Sequence, residues 1–397
     1  MDDSYDIGLL LAPTQIAVTQ YTDAVDCPLQ FVLSNSFKKS KRRPPLPSGS
    51  AHRYIGTVYH RVIEAARKGE VGTPPTRPAL ERRWQNELSQ IESEVQDNGD
   101  GVWLPFEQSH HDLERARLRC ITIAEQQQVS TGESEVPFQT AGIGPGTRHR
   151  VSGQIDAIET QNGRTVLKDF KSGHLDDPSG KVKPQYRDQM LLYAVRYFQS
   201  RGSWPDALCL VNKSGRHTEL EWSQEQAQAT FQSAMSHLDF IKRTIGSGGT
   251  LREERIRNLA NPDKGLCSRC QYRPICPAYC ARLHREGLLI HQESKYSLVD
   301  TVGTVLHATQ TDTRIHVRLQ CSDNIERSIQ SLPVQAQCLG TSGAQPLPTA
   351  VDPISSGDKV MVFNVRPRRS LYGAHEAPVL SVDRATRSFR TPSPEHD

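Results

Sequence analysis

Two aspartates and a lysine near the middle of the chain have the side-chain types and the spacing needed to cleave a phosphodiester bond. Asp156 lies in the stretch Gly-Gln-Ile-Asp-Ala-Ile, and Asp169 and Lys171 lie in Lys-Asp-Phe-Lys-Ser-Gly. Two carboxylates can bind a hard cation such as magnesium or manganese. A lysine two residues after Asp169 shares its face of a strand, where it can orient an attacking water or stabilise negative charge that develops on a phosphate.

The elements that must position these residues are predicted to be two strands joined by a tight turn. Apolar residues surround both carboxylates, and Asn162-Gly163 between them is a hairpin signal. We therefore expect a strand, a turn and a second strand that present the two aspartates and the lysine together at one end.

With two further helices, these residues resemble the PD-(D/E)xK nuclease superfamily, specifically its RecB-like branch. That branch carries a Gly-x-x-Asp strand, an Asp-x-Lys strand and a following helix with Gln-x-x-x-Tyr. Gln189 and Tyr193 match this last motif at positions i and i+4 of a predicted helix. His60 fits the histidine that the branch carries on an upstream helix.

The resemblance implies a role for each of these residues. It implies catalytic roles for Asp156, Asp169, Lys171, Gln189 and Tyr193. It also implies a catalytic Mg²⁺ or Mn²⁺ held by His60, Asp156 and Asp169. An imidazole ligand shifts the preference from magnesium toward manganese, which tolerates nitrogen better.

The nine cysteines form a second candidate site. Their number is odd and the N-terminus does not look like a signal peptide, so we expect a reducing, cytoplasmic location without disulfides. The spacing Cys267-x2-Cys270-x5-Cys276 is typical of a metal or iron–sulfur site. Such a site needs a fourth ligand, and the spacing leaves both the nearby Cys280 and the remote Cys27 open.

A subset of RecB-like nucleases, similar to CRISPR-adaptation and AddB-type nucleases, holds a 4Fe–4S cluster with one upstream and three downstream cysteines. The resemblance implies that Cys27, Cys267, Cys270 and Cys276 are the ligands here, with Cys280 as the competing fourth ligand. A structural zinc bound by the same four sulfurs is the alternative.

Length and composition favour two domains without a membrane span. The chain has 397 residues, a mean hydropathy of −0.58 and a net charge of +3. The resemblance implies an α/β, restriction-endonuclease-like core, a central mixed sheet flanked by helices, over residues 1–290. Helices are expected at Asp23–Leu33, His52–Lys68 and Gln224–Thr244, and a third central strand at Leu208–Asn212.

The pattern changes to strands and turns near residue 296. Several strands, with a helix-like segment at Asn324–Ile329, predict a small β-barrel over residues 296–390, loosely similar to an OB-fold, before a disordered tail at 391–397. Such barrels commonly bind single strands through basic grooves. The candidate DNA-binding residues are Arg314, Arg318, Arg366 and Arg368, although a barrel that only packs or binds protein is the alternative.

Together these features predict a metal-dependent DNA exonuclease that acts on single-stranded or frayed ends in repair, recombination or defence. The alternative is a catalytically weak DNA-end-binding module or adaptor that recruits a helicase or integrase. The sequence has no Gly-x-x-x-x-Gly-Lys-Ser/Thr loop, so any unwinding would come from a partner such as a helicase or recombination protein.

Overall fold

The chain divides into two compact units. Pro13–Val25 and Ser50–Lys242 form one, here called the central unit, and Met1–Ala12, Asp26–Gly49 and Arg243–Asp397 form the other, the terminal unit. The predicted boundary between residues 290 and 296 stays a prediction, and the predicted tail lies outside the described residues. The computed structural model describes residues 10–40, 44–46, 51–98, 105–106, 113–126, 133–141, 149–161, 163–171, 173–212, 214–246, 253–262, 265–293, 296–311, 314–321, 326–333, 337–338, 356–367, 379–381 and 387–390.

The central unit is built on a mixed sheet. Its strands are β1 (Gln15–Ala17), β2 (Glu133–Ala141), β3 (Arg150–Gln161), β4 (Arg164–Phe170), β5 (Ala207–Val211) and β6 (His217–Glu219). The order is β1-β3-β4-β5-β6, and β2 also pairs with β3. β1–β3 and β4–β5 are parallel, and the other pairs are antiparallel. The predicted mixed sheet and its third strand at 208–212 are therefore confirmed, as an α/β fold consistent with a restriction-endonuclease-like core.

The predicted hairpin between the two aspartates is also confirmed. β3 and β4 pair antiparallel down to Gln161 opposite Arg164, so the turn is two residues long. Gly163 occupies its second position with φ of +76°, a left-handed conformation that glycine adopts without a steric penalty.

Helices of the central unit cover the sheet. They are α1 (Tyr21–Asp26), α3 (His52–Arg67), α4 (Arg77–Asn98), α5 (Leu113–Glu125), α6 (Pro184–Arg201) and α7 (Gln224–Ile245). Along α3, Ile55, Val58, Tyr59, Val62 and Ile63 are buried at helical spacing, and they share one core with α4, α5 and the sheet. The helices predicted at 52–68 and 224–244 are confirmed.

The helical part of the terminal unit contains α2 (Pro28–Lys39), α8 (Glu253–Leu259) and α9 (Pro277–Glu286), with short 3-10 turns at Gly265–Arg269 and Arg273–Ile275. The helical prediction over 23–33 is confirmed except at Cys27, where the chain leaves the helical conformation (φ −147°, ψ 86°) and two helices replace one. Pro28 causes this break, since the proline ring disfavours helical dihedrals in the preceding residue. Cys276 before Pro277 is likewise non-helical (φ −92°, ψ 107°).

The other part of the terminal unit is an eight-stranded sheet. Its strands are β7 (Leu288–Glu293), β8 (Tyr296–Thr311), β9 (Arg314–Cys321), β10 (Glu326–Pro333), β11 (Gln337–Cys338), β12 (Lys359–Pro367), β13 (Val379–Ser381) and β14 (Arg387–Arg390). The pairings β8–β9, β9–β10, β10–β13, β13–β12 and β12–β8 return to their starting strand, and β10–β13 is the parallel pair among them.

The helix-like segment predicted at 324–329 is wrong where the structure describes it. Residues from Glu326 onward form β10, and Ile329 pairs with Val317 of β9. The segment is extended because its neighbours along the sheet satisfy its backbone groups, which a local pattern does not reveal.

Apolar residues of β8, β9 and β12 form the core of this sheet. At Gly303 an added Cβ would lie 2.7 Å from the Gln320 carbonyl oxygen, so only glycine permits this approach of β8 to β9. Across the described part of the chain, no helix combines the length and the apolar character needed to cross a membrane.

Candidate active site and cysteine site

The register of the β3–β4 hairpin brings the two predicted carboxylates together. Ala157 pairs with Lys168, so Asp156 and Asp169 lie opposite one another at the next position along the strands. Asp156 Oδ2 accepts a hydrogen bond from the Phe170 backbone N–H at 2.7 Å. Both aspartates are therefore held close together at the end of the hairpin.

His60 reaches this site from α3. Its Nδ1 lies 3.4 Å from Asp156 Oδ2. Burial alone would lower the pKa of His60, but the adjacent Asp156 and Asp169 carboxylates outweigh burial and raise it. The same contact works in reverse on Asp156, where burial would raise the pKa but His60 and the Phe170 N–H outweigh it, so that the pKa of Asp156 is lowered.

Lys171, Gln189 and Tyr193 surround the second carboxylate. Lys171 Nζ lies 2.7 Å from Asp169 Oδ2 and donates to Gln189 Oε1 at 2.7 Å. Gln189 Nε2 donates to Asp169 Oδ1 at 3.0 Å and to the Tyr193 hydroxyl at 2.8 Å. Burial raises the pKa of Asp169 to about 6, against the lowering effect of Lys171 and with a further increase from Asp156.

The α6 helix provides the side chains that hold the lysine. Gln189 and Tyr193 are both buried, one turn apart on the same face of α6. The Lys171 ammonium also lies 5.0 Å from the centre of the Tyr186 ring, on the first turn of this helix. The structure therefore places all six residues of the predicted site in one region of the central unit.

A layer of charged residues beneath the site was missed by the sequence analysis. Arg67 is 3% exposed, and its guanidinium donates to the Asp156 carbonyl oxygen at 3.2 Å and to Glu159 Oε1 at 3.0 Å. Glu159 Oε2 in turn accepts from the buried Lys168 at 2.6 Å. The available signal was weak: Arg67 follows His60 by seven residues, which places both on one face of a helix.

The donor chemistry at this site fits a hard divalent cation. Asp156 and Asp169 supply carboxylate oxygens and His60 supplies an imidazole nitrogen, a set that suits Mg²⁺ or Mn²⁺. Burial is the main cause of the raised pKa of Asp169, and the neighbouring Asp156 carboxylate adds to it, so a bound cation would stabilise the charged form of Asp169. Within the residues that the structure describes, however, no three His, Cys, Asp or Glu side chains are arranged as ligands of a metal ion. Lys171 takes the place of a counter-ion beside Asp169 instead.

Four cysteines line one small cavity in the terminal unit. Cys27, Cys267, Cys270 and Cys276 all contribute to its wall. Cys27 and Cys276 each occupy the residue before a helix that begins with proline. Burial raises the pKa of the Cys276 thiol to about 12 and also raises that of Cys270, so these sulfurs need a metal to be held as thiolates.

Cys280 lies outside this cavity lining. Its thiol donates weak hydrogen bonds to the carbonyl oxygens of Arg273 at 3.5 Å and Pro274 at 3.4 Å. Of the two cysteines that the spacing left open as the fourth ligand, Cys27 is thus the one at the cavity. Cys120, Cys209 and Cys321 are buried elsewhere as free thiols.

The predicted DNA-binding arginines lie on or beyond two strands of the terminal unit. Arg318 of β9 is exposed, whereas its neighbours Val317 and Leu319 are buried, as the alternating pattern predicts. Arg314 lies on the same strand and Arg366 on β12, but their side chains lie outside the described residues. Arg368 also falls outside them.

The family model of the PD-(D/E)XK nuclease superfamily matches residues 15–277. No curated protein matches the chain. The solved structure titled "Crystal structure of SSO0001" is 14% identical, with 67% of this chain and 87% of that chain covered and a TM-score of 0.28. The structure titled "p202 HIN1 in complex with 12-mer dsDNA" is 12% identical, with 46% of this chain and 59% of that chain covered and a TM-score of 0.18. Both TM-scores are too low to carry an argument. The family match, in contrast, covers more than half of the sequence, and the chain belongs to the PD-(D/E)XK nuclease superfamily.

Proposed function

We propose that the protein is a metal-dependent DNA nuclease that acts as an exonuclease on single-stranded or frayed ends in repair, recombination or defence. The observation that carries the nuclease proposal is the pair of adjacent carboxylates, Asp156 (side chain 13% exposed) and Asp169 (2% exposed), with Lys171 Nζ 2.7 Å from Asp169 Oδ2. The preference for ends and the exonuclease action rest on the resemblance to the RecB-like branch.

His60, Asp156 and Asp169 are the residues that would hold the catalytic cation. A bound Mg²⁺ or Mn²⁺ supplies Lewis-acid stabilisation of the phosphate and lowers the pKa of a bound water. Asp156 is fixed for this role at two points, since its carboxylate accepts the Phe170 N–H and its carbonyl oxygen accepts from Arg67.

Lys171 orients the attacking water and stabilises the charge that develops on the phosphate. Gln189 keeps the lysine at the site, because its Oε1 accepts from Nζ while its Nε2 donates to Asp169. The Tyr193 hydroxyl accepts the second Nε2 hydrogen and thereby fixes the orientation of this amide. Asp169, Gln189 and Tyr193 thus set the position of the Lys171 ammonium group.

We further propose that Cys27, Cys267, Cys270 and Cys276 hold a structural 4Fe–4S cluster. The shared cavity supports this ligand set, because its wall includes these four cysteines and does not include Cys280. The two cysteines that precede helices also favour it, because a helix N-terminus stabilises negative charge on sulfur. A single zinc ion in the same four sulfurs is the competing occupant.

The ring of five strand pairings supports the proposal that the C-terminal sheet is an OB-like barrel. A closed ring with a parallel β10–β13 pair is consistent with a small barrel in which sequential strands do not all pair in order. In this proposal Arg314, Arg318, Arg366 and Arg368 contact phosphates of single-stranded DNA.

The nuclease proposal is tested with the variant Asp169→Asn, which keeps the side-chain shape but removes the charge. Cleavage of end-labelled single-stranded and double-stranded DNA in Mg²⁺ or Mn²⁺ should fall by about a thousandfold or more, because the cation loses a carboxylate ligand. The control is Asp177→Asn, an exposed carboxylate of the same unit that bonds only to its own loop in the described contacts.

Cleavage by Asp169→Asn at the wild-type rate would refute the site. DNA-end binding without cleavage by the wild-type protein, in either metal, would instead favour the adaptor that recruits a helicase or integrase. Equal degradation of circular and linear single strands would exclude the requirement for ends.

A further inference from the structure

A buried arginine organises the turn that carries two of the four cavity cysteines. Arg273 is 2% exposed, and its Nη1 lies within hydrogen-bonding distance of three carbonyl oxygens, those of Cys267 (2.8 Å), Ser268 (2.8 Å) and Cys270 (3.2 Å). One guanidinium nitrogen therefore holds both ends of the segment from Cys267 to Cys270. Because these carbonyls belong to the same short turn, Arg273 holds the backbone from which the Cys267 and Cys270 side chains extend.

The partner that holds this arginine comes from the C-terminal sheet. Asp300, on β8, is 0% exposed, and its Oδ2 lies 2.8 Å from Arg273 Nε. The same oxygen accepts a hydrogen bond from the Tyr279 hydroxyl at 2.6 Å, and Tyr279 itself lies on α9, one turn after Cys276. Asp300 is thus joined to the cysteine site on both sides, through the turn before Cys276 and through the helix after it.

A buried ion pair of this kind is stable only while both charges are present. Removal of the carboxylate leaves a guanidinium in a site with little access to water, which is strongly unfavourable. The guanidinium must then move toward solvent, and the three carbonyl contacts of Nη1 move with it. Tyr279 loses an acceptor for its hydroxyl at the same time.

We propose that Asp300 is a positioning residue of the cysteine site, acting through Arg273 to set the geometry of Cys267 and Cys270. The inference deepens the proposed role of the cysteines and rests on it only for the identity of the bound group. It gives β8, the strand that carries Asp300, a part in holding the metal or cluster, although Asp300 itself does not contact the bound group. The sheet and the cysteine site then depend on one another within the terminal unit.

The test uses Asp300→Asn in the full-length protein, a change that keeps the shape of the side chain and removes its charge. Thiol labelling followed by mass spectrometry measures the modification rate of each cysteine, and iron, sulfide and zinc are measured per chain. We expect Cys267 and Cys270 to be labelled at least about tenfold faster than in the wild type, with the bound metal reduced by half or more. The matched control is Glu286→Gln, which removes the charge of an exposed ion pair with Arg282 in the same unit.

The labelling rate of Cys321 is the internal control that distinguishes a positioning role of Asp300 from general unfolding of the unit. Cys321 is 2% exposed in the same unit, and its labelling rate should stay at the wild-type value in Asp300→Asn. Faster labelling of Cys321 to the same extent as Cys267, or wild-type labelling and metal content in Asp300→Asn, would overturn the proposal. Should Asp300→Asn fail to fold, Arg273→Lys gives the answer, because lysine keeps the charge opposite Asp300 but cannot reach the three carbonyls through a planar fork.

Arg273→Lys must show the same selective exposure of Cys267 and Cys270, and normal rates at both would overturn the proposal. The labelling result is independent of the proposed cluster. A wild-type protein without iron or zinc would refute the proposal that the four cysteines bind a metal or cluster. The comparison of labelling rates would still decide the role of Asp300.

Discussion

Replacement of Lys171 by methionine tests whether the lysine acts as the counter-ion of the carboxylate pair. Methionine keeps much of the length of the side chain and removes its charge. In the structure Nζ lies 2.7 Å from Asp169 Oδ2, and the two side chains are 14% and 2% exposed. At an effective dielectric constant of about 20, this distance corresponds to an attraction of about 6 kcal/mol.

The net effect on folding is smaller, because the variant no longer has to bury an ammonium group. Breaking a buried pair typically costs about 3–5 kcal/mol, and we expect the lower end, about 3 kcal/mol, for the metal-free protein. For a unit of this size, that loss lowers the melting temperature by about 6–12 °C. The cause is that Asp169 loses the ammonium that lies 2.7 Å from its Oδ2.

The Lys171→Met variant should be less stable but should bind the metal ion more tightly. In the wild type a cation at Asp169 competes with the Lys171 ammonium for Asp169 Oδ2, while Gln189 still holds the ammonium at the site; in the variant this competitor is absent. A difference of about 3 kcal/mol corresponds to about a hundredfold tighter binding of Mn²⁺. The variant should nevertheless lose cleavage, since no ammonium remains to orient water or stabilise the phosphate. Calorimetric Mn²⁺ titration and thermal melts with and without Mn²⁺ measure both effects.

Lys183→Met is the matched control for this experiment. Lys183 carries the same charge near the same aromatic ring, 5.6 Å from the centre of Tyr186, but its Nζ donates to the His174 carbonyl oxygen. The Mn²⁺ affinity and the melting temperature of the Lys183→Met protein should stay close to the wild-type values. Equal or weaker Mn²⁺ binding by Lys171→Met, together with an unchanged melting temperature, would refute the counter-ion role.

Three further outcomes are expected. Arg67→Lys should destabilise the protein by about 2 kcal/mol in urea unfolding and slow cleavage, because lysine cannot bond Glu159 and the Asp156 carbonyl together; an unchanged midpoint and rate would contradict this. Cys27→Ser should remove the bound iron or zinc while Cys280→Ser retains it, as measured by metal analysis of anaerobically purified protein, and the reverse order would reassign the fourth ligand. Neutralising Arg318 should weaken binding of single-stranded DNA most at low salt, and a salt series with equal affinities throughout would instead favour a barrel that packs or binds protein.

The sequence by itself determined the hairpin and the helix that carry the candidate catalytic residues. The Asn162-Gly163 turn fixes the register of β3 on β4, and that register alone places Asp156 opposite Asp169. The spacing of Gln189 and Tyr193 likewise places both on one face of α6. These features depend on neighbours within a few residues, where turn chemistry and side-chain periodicity act directly.

The tertiary structure alone decided which distant charges hold these elements in place. Arg67 reaches the Asp156 carbonyl across 89 positions, and its spacing of seven residues from His60 does not by itself distinguish it from a solvated arginine at the end of a helix. In the same way Asp300 meets Arg273 only because β8 packs beside the cysteine turn. The strand β10 also takes its extended form from β9 and β13, although its own sequence resembles a helix. The physical reason is that burial and pairing belong to the packed chain, so the partner of a charge or a strand edge is set by folding and not by its sequence neighbours.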